Sequence, residues 1–250
     1  MNPAINSRYG WWGILALLLV ALVYGVARVQ EMRRWERIPA GIYALGQREL
    51  TPAGTRTHVH LDAFFMQRTE VTVGQFVRYL NRVRPSPVYD SPQIEFQRRR
   101  YRARVERRQP VAYVDFAQAR DYAAWLSRRR GRSYRLPTAD EWEAAARGTT
   151  PGMPYPWGWA GPDGRAAYDL DGALRVAQFA PNRFGLYDLA GNVAEWVEPN
   201  GSTGAGGEMA YAMGGSWAER DPTWLWIARR PAFPRTYRDA DVGFRLVREP

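Results

Sequence analysis

The sequence contains no cysteine in its 250 residues. This absence excludes disulfide bonds, zinc–thiolate sites, iron–sulfur clusters and catalysis by a thiol nucleophile. Lysine is absent too, so all 35 basic residues are arginine, which together with abundant Ala, Gly and Pro indicates a GC-rich bacterial source. Histidine occurs only twice, at His58 and His60. Two imidazoles on one predicted strand would hold a metal only if a carboxylate joined them, and two ordinary strand residues are the simpler interpretation.

What is present indicates a folded domain. Hydrophobic residues make up 46% of the chain, enough for a sizeable core. Eleven Trp and fourteen Tyr bury large areas, and 23 Gly with 18 Pro favour many turns over a helical bundle. We therefore predict an α+β fold with little regular secondary structure.

The net charge of +10 is concentrated, not spread over the chain. Seven arginines and one acid, Glu106, lie in residues 97–108, which gives this stretch a charge of +6. These arginines are Arg98, Arg99, Arg100, Arg102, Arg104, Arg107 and Arg108. We predict an insert that docks on anionic lipid or an acidic protein surface, with a solvated loop as the plain alternative and nucleic acid as the least favoured.

Residues 9–27 carry no charge and would span roughly 28 Å as a helix, close to the thickness of a bilayer core. We predict a tail at 1–8, a single transmembrane helix at 9–28, a juxtamembrane linker at 29–37 and one domain at 38–250. The membrane-facing residues are Trp11, Trp12, Leu15, Leu18 and Leu22. A cleaved signal peptide is the rival interpretation, but its apolar core is shorter and is followed by small residues.

The membrane side follows from two opposing arguments. Arginines after the helix favour a cytoplasmic domain by the positive-inside rule. A short N-terminal tail ahead of a first helix favours the opposite side, and we expect the domain on the extracytoplasmic face of a bacterial cytoplasmic membrane.

Capping residues mark three helices. Thr72 precedes a predicted helix over 73–81, and Asp115 precedes one that runs to Ser127. Thr138 with Glu141 forms a capping box before a third helix. Residues 58–66 read as a strand.

Several phrases, in order and at matching spacing, resemble the formylglycine-generating enzyme (sulfatase-modifying factor) family, a variant of the C-type-lectin fold. They are Ile38–Gly41, Thr69–Thr72, Pro110–Val114, Tyr134–Arg147, Tyr155–Gly158, Pro181–Trp196, Gly214–Trp217 and Val242–Arg245. The resemblance covers residues 38–248 and implies that fold.

The resemblance also shows what this chain lacks. Aerobic family members bind copper(I) through two cysteines after the Gly-Gly-Ser phrase, and here Glu219 and Trp224 take those positions. The resemblance therefore implies a non-catalytic domain that uses no copper. A sulfoxide-synthase branch uses iron on three histidines, which this chain cannot supply.

One metal site of the family has counterparts here. The resemblance implies calcium on Asp188 and Glu195, with carbonyl oxygens of Gly191 and Val193, since hard oxygen donors suit that ion. The alternative is that both carboxylates accept backbone N–H groups or pair with arginine.

Three functions remain open at this point. The first is a non-catalytic accessory subunit of a membrane protein complex, respiratory or photosynthetic complexes being natural candidates. The second is a membrane-tethered, lectin-like ligand-binding module, which requires an open pocket near Glu219, Trp224 and Trp226. The third is a metal-dependent oxidoreductase of the same fold.

Overall fold

A computed structural model describes residues 15–16, 34–46, 57–148, 152–199 and 207–250. Contacts divide the chain into two units, Met1–Trp35 and Glu36–Pro250. In the first unit Leu15 and Ala16 are helical, and the other residues of the predicted membrane helix at 9–28 lie outside the described ranges. No helix within those ranges is long and apolar enough to cross a membrane.

Apart from the helical Leu15 and Ala16, the described part of the chain contains three α-helices and twelve short strands, together with one 3-10 helix at Pro222–Leu225. The helices are α1 (Val73–Val83), α2 (Phe116–Arg130) and α3 (Ala139–Arg147). The strands are β1 (Trp35–Ile38), β2 (Gly41–Leu45), β3 (Thr57–Leu61), β4 (Phe64–Gln67), β5 (Ile94–Gln97), β6 (Arg100–Ala103), β7 (Tyr134–Arg135), β8 (Ala194–Val197), β9 (Met209–Met213), β10 (Ala232–Pro234), β11 (Val242–Gly243) and β12 (Val247–Arg248).

The strands form two four-stranded sheets and two hairpins. One sheet has the order β1-β4-β12-β7 and the other the order β10-β9-β8-β11, while β2 pairs with β3 and β5 with β6. The β8–β11 pairing is parallel. Every residue of β8 is buried, which explains why its sequence does not alternate between apolar and polar residues. The prediction of a mixed fold with short elements is confirmed.

All three predicted helix caps are confirmed. Thr72, Asp115 and Thr138 each accept a hydrogen bond from the third helical N–H, and each forms a capping box. Both longer helices end later than predicted. A left-handed Arg84 ends α1 and Gly131 ends α2, and the apolar pattern alone does not show these stops.

Two other predictions and one alternative interpretation need correction. The strand predicted over 58–66 is two strands, interrupted at Asp62 and Ala63. β1 begins within the predicted linker at 29–37. The alternative of a solvated loop for the arginine-rich insert at 97–108 does not hold throughout, because residues 97–103 comprise the end of β5, the turn and β6. This part of the insert is a strand because it pairs with residues 94–97, most of which precede the insert.

The core is built around large aromatic side chains. Trp142 of α3 and Trp196 of β8 are fully buried, and the indole N–H of Trp196 donates to the Val114 carbonyl at 2.9 Å. Phe76 of α1 contacts Phe244 in an edge arrangement at 6.3 Å between ring centroids. Such rings give a loop-rich fold its buried area, and buried indoles need a hydrogen-bond acceptor.

Candidate functional site

The two positions that the resemblance assigns to the copper-binding pair lie around the 3-10 helix. Asp221 caps this helix by accepting from the Thr223 N–H at 2.9 Å. Trp224 is 38% exposed, and the guanidinium of Arg229 lies 4.5 Å from the centre of its ring. Glu219 is half-buried, and its carbonyl accepts from the Asp169 N–H at 2.9 Å. An arginine therefore covers one face of the indole.

The side chains near Glu219 give this region an acidic character. Burial, followed by repulsion from Asp241, raises the pKa of Glu219. Burial and nearby Asp239 raise the pKa of Asp241 in turn, and burial together with Asp241 raises the pKa of Tyr237 to about 12. In the described ranges no three or more His, Cys, Asp or Glu side chains are arranged to hold a metal ion. Hard oxygen atoms also differ from the soft thiolates that copper(I) prefers.

The Gly-Gly phrase before these positions has a steric explanation. Gly215 has φ of +66°, and a Cβ there would lie 2.8 Å from the carbonyl oxygen of Trp224. Gly214 has φ of +94° and packs against the ring of Trp142. These contacts hold the 3-10 helix against the core whether or not a reactive pair is present.

A buried ion pair lies beneath the turn that joins Asp188 to Trp196. The guanidinium of Arg245 donates to both oxygens of Glu195 at 2.6 Å, and the Trp142 indole N–H donates to one of them at 2.7 Å. Arg245 also donates to the carbonyls of Gln67, Arg68 and Tyr187. Burial raises the pKa of Glu195, and the attraction of Arg245 opposes that shift.

A second buried carboxyl lies close to this pair. Glu70 is 1% exposed, and one of its oxygens accepts from the Asn192 side chain at 2.7 Å. The other oxygen has no hydrogen-bond partner among the described residues. Burial and the charge of Asp188 raise the pKa of Glu70 well above its usual value, so a proton on Glu70 relieves both costs. The sequence phrase containing Glu70 gave no sign of this role.

The predicted calcium ligands belong to this buried turn. Asp188 accepts from the Ala177 N–H at 2.6 Å, and Val193 is buried. A Cβ on Gly191 would lie 2.2 Å from the Ala167 carbonyl oxygen. Because both oxygens of Glu195 already accept from Arg245, a calcium ion there would have to share or displace that pairing. Calcium on Asp188, Gly191, Val193 and Glu195 stays a prediction.

The arginine-rich insert separates into parts with different environments. Arg104 is 3.4 Å from Glu95 and 3.9 Å from Asp90. The Arg107 carbonyl accepts from the Gly74 N–H, and the Arg108 carbonyl accepts from the Val176 N–H. The remaining arginines, at the hairpin end, are Arg98, Arg99, Arg100 and Arg102, and all four are exposed.

The two histidines join no group of three or more His, Cys, Asp or Glu side chains that could hold a metal ion within the described ranges. His58 and His60 both lie exposed on β3, opposite Ala44 and Ile42 of β2. This agrees with the interpretation as ordinary strand residues.

Two adjoining cavities of about 120 and 150 Å³ lie away from Glu219. Both are lined by Pro156, Trp157, Pro181 and Asn182, and the first also by Asp188. Each is smaller than the roughly 300 Å³ at which pockets for drug-sized ligands begin. The open pocket that a ligand-binding module requires was predicted near Trp224, and these cavities lie elsewhere.

The fold and these motifs agree with comparisons to known proteins. The chain belongs to the family described as the sulfatase-modifying factor enzyme 1-like domain, which matches residues 24–250. The prediction of this family from the sequence is confirmed. Solved structures share the fold: PvdO from Pseudomonas aeruginosa has 26% identity and a TM-score of 0.72, over 86% of this chain and 94% of that chain.

Relatives include both enzymes and proteins named as inactive. The chain is 41% identical over 124 residues to inactive C-alpha-formylglycine-generating enzyme 2 of Bos taurus, a match to 44% of this chain and 39% of that protein. It is 39% identical over 105 residues to the formylglycine-generating enzyme of Thermomonospora curvata, covering 35% of this chain and 32% of that protein. The chain thus spans about two fifths or less of the length of these relatives.

Proposed function

We propose that this chain is a non-catalytic member of its family, attached to a membrane, that serves as an accessory subunit by contacting partner proteins and lipid. The observation that carries the non-catalytic part is the absence of cysteine, with Glu219 and Trp224 at the positions of the reactive pair. No rearrangement of this chain supplies two thiolates, so oxidation of a substrate cysteine through a copper–thiolate pair is chemically closed to it.

The retained scaffold supports the same interpretation. Arg245, Glu195 and Trp142 are bonded to one another in the core, and the Gly-Gly phrase still packs the 3-10 helix against it. One relative is named an inactive formylglycine-generating enzyme, which supports the same interpretation. The fold can therefore persist as a rigid support for surfaces used in contact.

Membrane attachment rests on the sequence. The uncharged residues 9–27 match the length of a bilayer-spanning helix, with aromatic residues at one end and arginines beyond the other. Orientation towards the extracytoplasmic side, and membership of a respiratory or photosynthetic complex, belong to this proposal.

The catalytic part is tested by incubating the detergent-extracted full chain with copper(I), oxygen and a sulfatase-derived cysteine peptide. Mass spectrometry would report conversion of the cysteine to formylglycine. The formylglycine-generating enzyme of Thermomonospora curvata serves as the active control under identical conditions. We expect no conversion above a reaction without protein, and turnover by this chain would overturn the proposal.

The ligand-binding alternative has one observation in its favour, the cavities beside Trp157. Their size limits them to a small group, so the docking interpretation is preferred. A metal-dependent oxidoreductase would need a ligand set different from any that the described residues form.

A further inference from the structure

The arginines at the end of the β5–β6 hairpin lie beside a second set of arginines at the end of α1. Asn81 of α1 donates to the Tyr101 carbonyl at 3.0 Å and accepts from the Tyr101 N–H at 2.9 Å. Arg82 and Arg84 follow Asn81 in the chain, while Arg100 and Arg102 flank Tyr101. These two hydrogen bonds therefore join distant parts of the sequence into one basic surface.

We call this surface the arginine tip. It consists of Arg82, Arg84, Arg98, Arg99, Arg100 and Arg102, all exposed.

The arginine tip lacks the pairing seen for many other arginines. None of its six guanidinium groups makes a hydrogen bond or an ion pair with any residue that the structure describes. The one acid directly opposite on the hairpin, Glu95 across from Arg102, is 3.4 Å from Arg104 instead. The tip thus carries positive charge that no described side chain compensates.

The backbone of the tip is unfavourable for the residues that it carries. Arg98 and Arg99 form the two-residue turn with φ of +49° and +62°, and Arg84 ends α1 with φ of +48°. Turns and helix ends of this kind favour Asn or Gly, because a Cβ costs roughly 1 kcal/mol or more in the left-handed region. Arginine therefore occupies three positions at which Asn or Gly would give a more stable backbone.

Apolar side chains accompany the charges. Phe96 is 40% exposed and packs on Tyr101 at 4.8 Å between ring centroids, and Val83 at the end of α1 is 36% exposed. A surface with exposed arginines beside partly exposed apolar groups suits the headgroup region of a bilayer, where guanidinium groups contact phosphate and apolar groups enter the interface. Single-stranded nucleic acid needs several open rings in a groove, and Tyr101 is buried here.

From these observations we infer that the arginine tip docks on the surface of a bilayer that contains anionic lipid. The inference rests on the membrane attachment in the proposed function, and not on the absence of catalysis. Each basic residue close to an anionic membrane contributes roughly a fivefold factor in binding. Removing three of them is expected to weaken docking roughly 100-fold.

The test uses the full chain in lipid nanodiscs made from neutral phosphatidylcholine or from a mixture with phosphatidylglycerol. Gln97→Cys introduces a thiol beside the turn, and this thiol is unique because the chain has no cysteine of its own. An environment-sensitive fluorophore is attached to it. We expect the fluorophore emission to shift to the blue, and to be quenched by quenchers attached to lipid, in the anionic discs only. The triple variant Arg84→Gly, Arg98→Asn, Arg99→Gly should abolish both effects while its melting temperature stays the same or rises.

Two further variants exclude trivial explanations. Arg98→Lys with Arg99→Lys keeps the charge and should keep docking. Arg132→Gln, Arg165→Gln and Arg220→Gln remove three exposed charges elsewhere and should leave docking unchanged.

Equal signals in neutral and anionic discs, or no signal in either, would overturn the inference. A larger shift on adding single-stranded RNA or an acidic peptide to neutral discs would assign the tip to a different partner and also overturn it. If the full chain does not enter discs, membrane attachment fails separately, and the same label is then read on added anionic and neutral vesicles.

Discussion

Arginine has opposite roles in two regions of this molecule. Arg245 is fully buried, and each of its donor nitrogens reaches a carboxylate or a carbonyl. The arginine tip is exposed, unpaired among the described residues and held on unfavourable backbone at Arg84, Arg98 and Arg99. The first arrangement stabilises the fold at a site inside it. The second costs stability and exposes its charge to solvent.

The largest expected effect is the loss of the buried arginine. Arg245→Ala leaves the Glu195 carboxylate buried without its partner, which costs about 3–5 kcal/mol. Guanidinium unfolding measures this free energy, with Arg220→Ala as the control, because Arg220 has a side chain that is 92% exposed. We expect the control to change the free energy of unfolding by less than about 0.5 kcal/mol. A small effect of Arg245→Ala would contradict the structural role.

The buried turn above that arginine should be nearly as sensitive to a single methyl group. Gly191→Ala forces both a left-handed alanine and a clash with the Ala167 carbonyl oxygen, with an expected cost of about 2–4 kcal/mol. Gly164 has a similar φ of +66° and open space around it. Gly164→Ala should therefore cost only about 1 kcal/mol. Thermal unfolding of both variants separates the effect of the clash from that of the backbone strain. Equal losses of stability in the two variants would exclude the clash.

Glu70 makes the buried region depend on pH. Its folded pKa lies above the unfolded value, so the folded state holds a proton that the unfolded state releases. The resulting stabilisation is complete below the usual carboxyl range and is lost as pH rises through the folded pKa. Glu70→Gln keeps an acceptor for Asn192 and removes the charge, so it should raise stability at pH 8 by about 1–3 kcal/mol.

The comparison that checks this is chemical unfolding of the parent and Glu70→Gln across pH 5 to 8. We expect the two curves to diverge as pH rises. Parallel curves would show that Glu70 does not titrate in this range.

The smallest effect is expected at the arginine tip and has the opposite sign. Arg99→Gly relieves a left-handed backbone at the turn and should stabilise the domain by about 0.5–1 kcal/mol. Arg102→Gly, at an extended position of β6 on the same hairpin, should destabilise it. The melting temperatures of the two variants, compared with that of the parent chain, test both expectations. A loss of stability in Arg99→Gly would mean that the side chain contributes to folding.

Local signals in the sequence predicted the parts of the fold that depend on neighbouring residues. Thr72, Asp115 and Thr138 were found as caps because capping depends on residues three positions apart. The family was found from motifs that pack the core, such as the turn ending at Trp196.

Contacts between distant residues were not predictable in this way. The basic stretch was predicted as an insert, but Asn81 binding to Tyr101 brings Arg82 and Arg84 to the same surface. Glu70 and Asn192 are 122 positions apart, and nothing in their local sequence indicates the hydrogen bond between them. Glu195 was considered as a calcium ligand, with pairing to an arginine as the alternative, and the three-dimensional structure identifies Arg245 as its partner.

The central claim is that this chain acts by contact in a membrane assembly. The most direct measurement is the mass of the full chain, extracted from its native membrane in mild detergent and analysed by native mass spectrometry. We predict a mass that corresponds to this chain bound to at least one partner protein at a fixed stoichiometry. The same complex should be found after two successive chromatographic separations. A chain that consistently appears alone, with detergent and lipid only, would contradict the account.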